Sequence, residues 1–518
     1  MYYLNTDVPY MTYKEAVNSE IYVDKSLMIE KISRVFRTNG KYICITRPRR
    51  FGKTINASML GAYYTEGIDS GSLFDNLKIA QTADYLKNKN KYNVIYIDLS
   101  RMPNQCASYA EYIEYIIYKL VSDLKEAYGI QENPYLSVAD MFAETGESFV
   151  FIFDEWDSVF YKEFMDKKDK DNYLFFLKDL LKDRPYVEMA YMTGVLPIAK
   201  YSSGSELNMF DEYNFMNDNV YDDYFGFQED EVRTLCDNYG TVPYEEMKKW
   251  YDGYYTGEGK ALFNPRSVSK ALMRGKCLNY WTESGPMNEV ADCIEHNVDA
   301  VREDIVKMVA GIPVAVKLMG YSVAELQLDT RDEILSAMVV YGFLTYYDGM
   351  LRIPNRELME KYQGVLARKS MGAVKQIVEQ SEEMMKATLA GDEKKVAAIL
   401  ETVHDKEIPF LQYNDENALS CVITLCYLYA REEYDIEREA KSGKGYCDYL
   451  FIPKKKEGTA IILELKVGSS CEEAIEQIRK KNYIQRVQHC RNILMVGINY
   501  DKEKHHQCKI IQYVEREA

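Results

Sequence analysis

Through its first two hundred residues the chain alternates short apolar runs with longer stretches of helical period. Residues 42–46, 91–99, 148–155 and 187–193 are apolar and of strand length, the last ending at Gly194. Between them, residues 53–64, 108–128 and 173–181 repeat their apolar positions at a spacing near 3.6, and an earlier helical pattern runs through Leu27, Ile29, Ile32 and Phe36. Strands alternating with helices predict a parallel sheet with crossover helices. Ligands bind at the carboxyl edge of such sheets, where Arg47, Asp154 and Thr193 would lie.

From about residue 225 the strand signal fades and helical patterns dominate. Residues 339–345 and 351–355 predict a small strand-bearing end to this part, and 357–401 a charged helical connector. The pattern then changes again. Residues 417–430 read as an apolar helix, 446–452 and 459–467 as strands joined by a Pro-Lys-Lys-Lys-Glu-Gly turn, 471–483 as a helix and 491–498 as a last strand. The expected fold class is α/β. Residues 1–222 form a phosphate-loop domain with an N-terminal extension, 223–400 a mainly helical lid, winged-helix-like and connector region, and 401–518 a second α/β domain.

Composition narrows the function classes. The 47% hydrophobic and 28% charged content fits a globular protein, and no apolar run approaches the roughly 18 residues that span a bilayer. No basic-then-apolar leader opens the sequence, and 11 cysteines without a CxxC pair fit a reducing compartment, so a cytoplasmic protein with no membrane partner is expected. The net charge of −17 argues against a generic nucleic-acid coat. The balance is uneven: residues 441–510 net about +6, the place to look for a polyanion.

Two stretches carry candidate chemistry. Arg47-Pro48-Arg49-Arg50-Phe51-Gly52-Lys53-Thr54 links the first strand to a helix. Backbone amides and a helix N-terminus there would meet a phosphate, Lys53 would reach its outer oxygens, and the Thr54 hydroxyl would hold Mg²⁺. The strict phosphate-loop pattern has Gly where Arg47 stands, which predicts a stiffer, more cationic entry. Asp154 and Glu155 end a later strand, Asp154 for the Mg²⁺ opposite Thr54 and Glu155 to polarise a water; acids that merely end a strand are the alternative. In the C-terminal part, Asp448 lies on one strand and Glu464 and Lys466 share a face of the next. Antiparallel pairing would bring Asp448 to Glu464 as hard oxygen ligands for Mg²⁺ or Mn²⁺, with Lys466 orienting a water or steadying charge. Glu416, ahead of the apolar helix, is a further candidate acid with Asp415 as its rival.

Thr46-Arg47-Pro48-Arg49-Arg50-Phe51-Gly52-Lys53-Thr54 resembles the loop of the bacterial AAA-ATPase-like proteins, many of which end in a PD-(D/E)XK nuclease domain. The resemblance continues through Tyr22-Val23-Asp24-Lys25, Phe153-Asp154-Glu155-Trp156-Asp157, Thr193-Gly194-Val195, Ser203-Gly204 with Leu207-Asn208, Gly226-Phe227, Trp250-Tyr251-Asp252-Gly253-Tyr254 and Asn264-Pro265. In that family Arg-Pro-Arg-Arg is the usual form of the loop, whereas Ser205 and Glu206 here interrupt its Ser-Gly-Leu-Asn run. The resemblance implies ATP as ligand, Thr193 as a sensor of the γ-phosphate, and Gln477 as a support to the nuclease carboxylates. It also implies nucleic acid, in the first place DNA, as partner, with a homo-oligomer or protein partner left open. The expected function is an ATP-binding protein whose metal-dependent nuclease domain cleaves DNA under nucleotide control, with hydrolysis of ATP left open. The alternative is a nucleotide-switched regulator that grips nucleic acid or protein without cutting.

Overall fold

The structure, a computed structural model, describes all residues except 105, 132–135, 199–205, 215–217, 282–298, 319–329, 367–372, 406–415, 456, 502–504 and 514–518. Ser203, Gly204, Ser205 and Asp415 lie outside the described residues, as does the Glu416 side chain. Two compact units result: residues 1–293 with 316–350 and 354–357, and residues 294–315 with 351–353 and 358–518.

The first unit is built on five parallel strands, β1 (Tyr42–Thr46), β2 (Asn93–Asp98), β3 (Phe149–Asp154), β4 (Val187–Gly194) and β5 (Asp211–Tyr213), in the order β2-β3-β4-β1-β5. The central strands are buried on both faces, which is why they read as continuous apolar runs. Phe149, Phe151 and Phe153 point into a core with α3 (Tyr109–Tyr128) and α4 (Lys167–Leu181). Val150 and Ile152 point into the opposite core, with α1 (Val8–Val17) and α2 (Lys53–Tyr64). Side-chain caps start the longer helices: Ser108 accepts from Glu111 N at α3, where the pattern places its start, whereas an Asp166–Asp169 capping box starts α4 six residues ahead of the expected 173. Helix α1 has too few apolar repeats to announce itself. It docks because Gly61 of α2 has no Cβ, which would stand 2.6 Å from Pro9 Cβ.

Helices α5 (Glu229–Tyr239), α6 (Tyr244–Tyr251) and α7 (Pro265–Arg274) pack around Val232, Met247, Tyr251, Val268 and Leu272. Asn264 caps α7, accepting from Ser267 N at 3.2 Å, and Pro265 occupies its first turn. The strand expected from residue 339 begins later. Val339 and Val340 instead close α8 (Arg331–Val340), started by a Thr330–Glu333 capping box, and the strand is Thr345–Tyr347.

The second unit holds β6 (Tyr434–Ser442), β7 (Gly445–Pro453), β8 (Thr459–Val467), β9 (Asn492–Tyr500) and β10 (His506–Gln512) in sequential order. The pair β8–β9 is parallel and the others antiparallel. Helices α9 (Ala373–Leu389), α10 (Glu393–Asp405) and α11 (Glu416–Cys426) precede the sheet, and α12 (Cys471–Lys480) joins β8 to β9. On α10, Glu401 accepts from His506 N at 3.0 Å and pairs with the imidazoles of His505 and His506. Burial would raise its carboxyl, but the His506 and His505 hydrogen bonds overcome this and hold it down at about 2. Among the described residues no helix is long and apolar enough to cross a membrane.

Candidate functional site

The phosphate loop runs from β1 to α2. Gly52 adopts φ +90° as the residue ahead of α2, and Arg50 also has positive φ. Lys53 is buried, and its Nζ donates to the carbonyl oxygens of Arg47 and Pro48 at 3.0 Å each. Burial lowers its pKa, opposed by the carboxylates of Glu155, Asp157 and Asp154. Arg47 departs from expectation. Its guanidinium pairs with Asp218 and donates to Tyr213 O at 2.7 Å and Thr46 O at 2.9 Å. What Arg47 offers the loop is therefore its backbone, and the cationic character of the entry rests on Arg49 and Arg50. The reason is local: at the edge of β1, a side chain in place of the generic Gly must enter the protein interior, and only a fixed carboxylate makes a buried guanidinium tolerable.

Parallel pairing sets Ile45 beside Thr193 and Asp98 beside Asp154, so the acids arrive at one sheet edge. Asp154 is buried. It accepts from the hydroxyls of Thr193 and Thr54, and burial raises its carboxyl. Thr193 Oγ1 also accepts from Glu155 N at 3.3 Å, so this hydroxyl ties the two acids together. Glu155 itself sits at φ +51°, a left-handed conformation held by this bond and by Trp156 N donating to Thr193 O at 2.9 Å. A Cβ on Gly194 would lie 2.6 Å from the Trp156 ring and 2.7 Å from Asp157 Oδ1, so the strand must end in Gly.

A cavity of about 710 Å³ opens on this edge. Arg49, Arg50, Phe51, Gly52, Lys53, Thr54 and Glu155 line it together with the apolar Tyr13, Ile21, Tyr22, Phe227, Met273 and Trp281. Its size and mixed lining suit a nucleotide. Two contributors were not singled out in the sequence. Buried Asp157 accepts from Val195 N at 3.0 Å and Leu196 N at 2.8 Å, fixing the turn after β4. Arg266, on α7, lines the cavity with a buried Nε that has no hydrogen-bond partner. The Phe-Asp-Glu-Trp-Asp run signalled the first; nothing short of the fold signals the second.

In the second unit, β7 and β8 pair Tyr449 with Leu463, which puts Asp448 beside Glu464. Asp448 Oδ2 accepts from Leu465 N at 2.7 Å, and Asp448 N donates weakly to Glu464 Oε2 at 3.4 Å. Glu464 is 2% exposed. Its Oε1 receives the Gln477 amide and, at 3.3 Å, Lys466 Nζ. Burial first and Asp448 second push its carboxyl up to about 7, with Lys466 opposing. Helix α12 brings Gln477 over the strands because β9 carries Gly497 opposite Glu464: a Cβ there would meet Cys471 O at 2.4 Å. On the Tyr449 side, that hydroxyl bonds to Ser420 Oγ at 2.5 Å and Thr424 Oγ1 at 2.8 Å, seating α11, which begins at Glu416. Among the described residues no cluster of three acidic, His or Cys side chains is gathered, and the carboxylates brought together are those of Asp448 and Glu464. Two crowded carboxylates, one raised by the other, are a donor set that a hard divalent cation relieves.

Fold and sites together define a P-loop ATPase module followed by a PD-(D/E)XK nuclease-like domain. The family comparisons agree: residues 11–203 match the predicted AAA-ATPase family and residues 414–510 the PD-(D/E)XK nuclease superfamily, and the chain carries a domain of each. Solved structures with likeness include the Walker-type ATPase PABY2304 of Pyrococcus abyssi, at 13% identity and TM-score 0.34 over 65% of this chain and 94% of that one. The ORC2 protein of Aeropyrum pernix, in ADPNP and ADP complexes, follows at 12% identity and TM-score 0.31 over 67% and 96%. No curated protein matches.

Proposed function

We propose that this protein binds and hydrolyses ATP at the Lys53 loop and cleaves DNA phosphodiester bonds at the Asp448–Glu464 pair, the first activity controlling the second. The observation that carries the nuclease reading is Glu464, a buried carboxylate beside a second carboxylate and held by Lys466 and Gln477. A fold has no structural need for such a group at that depth. Asp448 and Glu464 would hold Mg²⁺ or Mn²⁺; when bound, the cation supplies polarisation of the scissile phosphate and a more acidic water. Lys466 orients the attacking water or offsets charge on the phosphate, Gln477 fixes Glu464, and Glu416 is the further acid proposed on α11. At the first site, Thr54 and Asp154 would hold Mg²⁺, Lys53 would exchange its loop carbonyls for phosphate oxygens, and Glu155 would orient a water. Thr193 joins Asp154 to Glu155, which supports a role as sensor through those acids.

The proposed setting is a cytosolic one, in keeping with the burial of the cysteines among the described residues. Control of one site by the other would require a nucleotide-dependent change, carried within a homo-oligomer or with a protein partner. The test is a cleavage assay with Mg²⁺, with and without ATP, on wild type, Lys53→Ala and Asp448→Ala. Cleavage that survives in Asp448→Ala removes the carboxylate pair from the chemistry. Cleavage indifferent to ATP and to Lys53→Ala removes the control. Binding of DNA with no cleavage by wild type under any divalent cation would leave the non-cutting regulator.

A further inference from the structure

The turn between β6 and β7 is locked down. Gly443 has φ +55°, and a Cβ there would lie 2.2 Å from Lys481 O, so only Gly fits. Lys444 N donates to Lys481 O at 2.7 Å, and Ser442 Oγ donates to Tyr483 O at 2.5 Å. The Lys481 stem lies 3.7 Å from the Cβ position of Gly445. A hairpin tip is ordinarily among the most mobile parts of a domain; this one is fixed to the end of α12.

On this fixed tip stands Tyr446, 62% exposed, its side chain without a ring, cation or hydrogen-bond partner among the described residues. Its cross-strand partner is Lys441. Lys441, Lys444 and Lys481 are all exposed and form no ion pair among the described residues, although acidic residues are abundant in the chain. Tyr446 is two residues from Asp448, about 7 Å along an extended strand. An aromatic face held rigid beside a carboxylate pair, among cations left without counter-charges, is the arrangement that stacks a base and tracks its phosphates. Rigidity matters because the ring is ordered before the ligand arrives.

We infer that Tyr446, with Lys441, Lys444 and Lys481, is a stacking platform for an unpaired base next to the scissile phosphate, so that the substrate is a single strand or the unpaired flank of a duplex. The inference rests on the nuclease reading above and names its substrate class. A paired base keeps its faces inside the helical stack and cannot meet the ring.

The test uses the full chain with short oligonucleotides carrying 2-aminopurine at one unpaired position, as single-stranded DNA, single-stranded RNA and blunt duplex DNA, with Ca²⁺ present. Wild type and Tyr446→Phe should bind the single strand and quench its fluorescence. Tyr446→Ala should bind it roughly 5- to 100-fold more weakly without quenching, and the duplex unchanged. Replacing Lys441, Lys444 and Lys481 with Ala should lower the slope of log affinity against log salt by about 2. The DNA and RNA arms show whether the sugar contributes. Equal binding and quenching by Tyr446→Ala overturns the platform alone. If wild type binds no nucleic acid of any form, the nuclease reading fails and the platform with it. Tyr446 and the three lysines are exposed, so the substitutions remove no buried side chain.

Discussion

The Arg47 guanidinium and the Asp218 carboxylate form an ion pair from which solvent is excluded, each side chain only 1% exposed. Asp218 also accepts from Val220 N at 2.7 Å and Tyr221 N at 2.8 Å. The start of the phosphate loop is thereby fixed to the segment after β5 by a charge that cannot be left alone. Burial pulls the Arg47 pKa down, and Asp218 opposes that shift without cancelling it.

Restoring the generic loop by Arg47→Gly should therefore harm the protein. It strands a buried carboxylate, at a cost of about 3–5 kcal/mol. Urea unfolding should show a loss of that order for Arg47→Gly, and a smaller one for Arg47→Met combined with Asp218→Asn. Equal losses would mean that the charge pairing is not what holds the loop.

Lys53→Ala removes the ammonium that lies on the loop carbonyls. ATP affinity should fall on the order of 10- to 100-fold, the worth of charge-assisted bonds to phosphate. Calorimetric titration checks this, and the thermal stabilisation that ATP confers on wild type should shrink in step.

Asp448→Ala and Glu464→Gln should each abolish divalent-cation binding in the second unit, read by titration calorimetry on a Lys53→Ala background that keeps nucleotide out of the signal. Glu464→Gln should leave folding intact or improve it, because the buried charge that it removes has no core role. A variant that still binds Mn²⁺ with wild-type affinity would place the cation elsewhere.

Gly497→Ala touches neither carboxylate, yet its Cβ would push on Cys471 O, at the start of the helix that carries Gln477. Cleavage should fall, on the order of 10-fold, with cation affinity falling less, since in its proposed role Gln477 holds Glu464 through its amide and leaves the cation to the carboxylates. Unchanged cleavage would show that Gln477 is dispensable.

Glu401 gives the second unit an acid limb. Its folded pKa of about 2 lies below the ordinary glutamate value of 4.5, so the folded state binds this proton more weakly than the unfolded one. The stability it contributes is present above about pH 4.5 and is lost as pH falls towards 2. Glu401→Gln should flatten stability against pH across that window, followed by circular dichroism, and leave neutral-pH ATP binding unaltered.

Most of the first sheet was legible because its strands are buried on both faces and so spell continuous apolar runs: β1, β3 and β4 lie within a residue or two of expectation. In the two five-stranded sheets, the strands that escaped notice are edge strands. β5 has three residues, and β6 and β10 carry the charged and polar sequences of strands with one side uncovered. The carboxylate pair could be read from Asp448 and Glu-x-Lys because a two-stranded register is a local matter. The fate of Arg47 could not, since its partner is 171 residues away and looks in sequence like any other Asp among acids.

The position of Lys53 carries one more consequence. Its ammonium already has two oxygen ligands, supplied by the loop itself. Phosphate binding is then an exchange of ligands, in which two internal hydrogen bonds are given up for those to the incoming anion. A weakly basic or singly charged anion such as chloride gains little from that exchange, whereas the chelating oxygens of a nucleotide polyphosphate gain a great deal. The loop thus acts as its own competitive inhibitor, setting a threshold of charge and denticity that a guest has to exceed before the site responds to it.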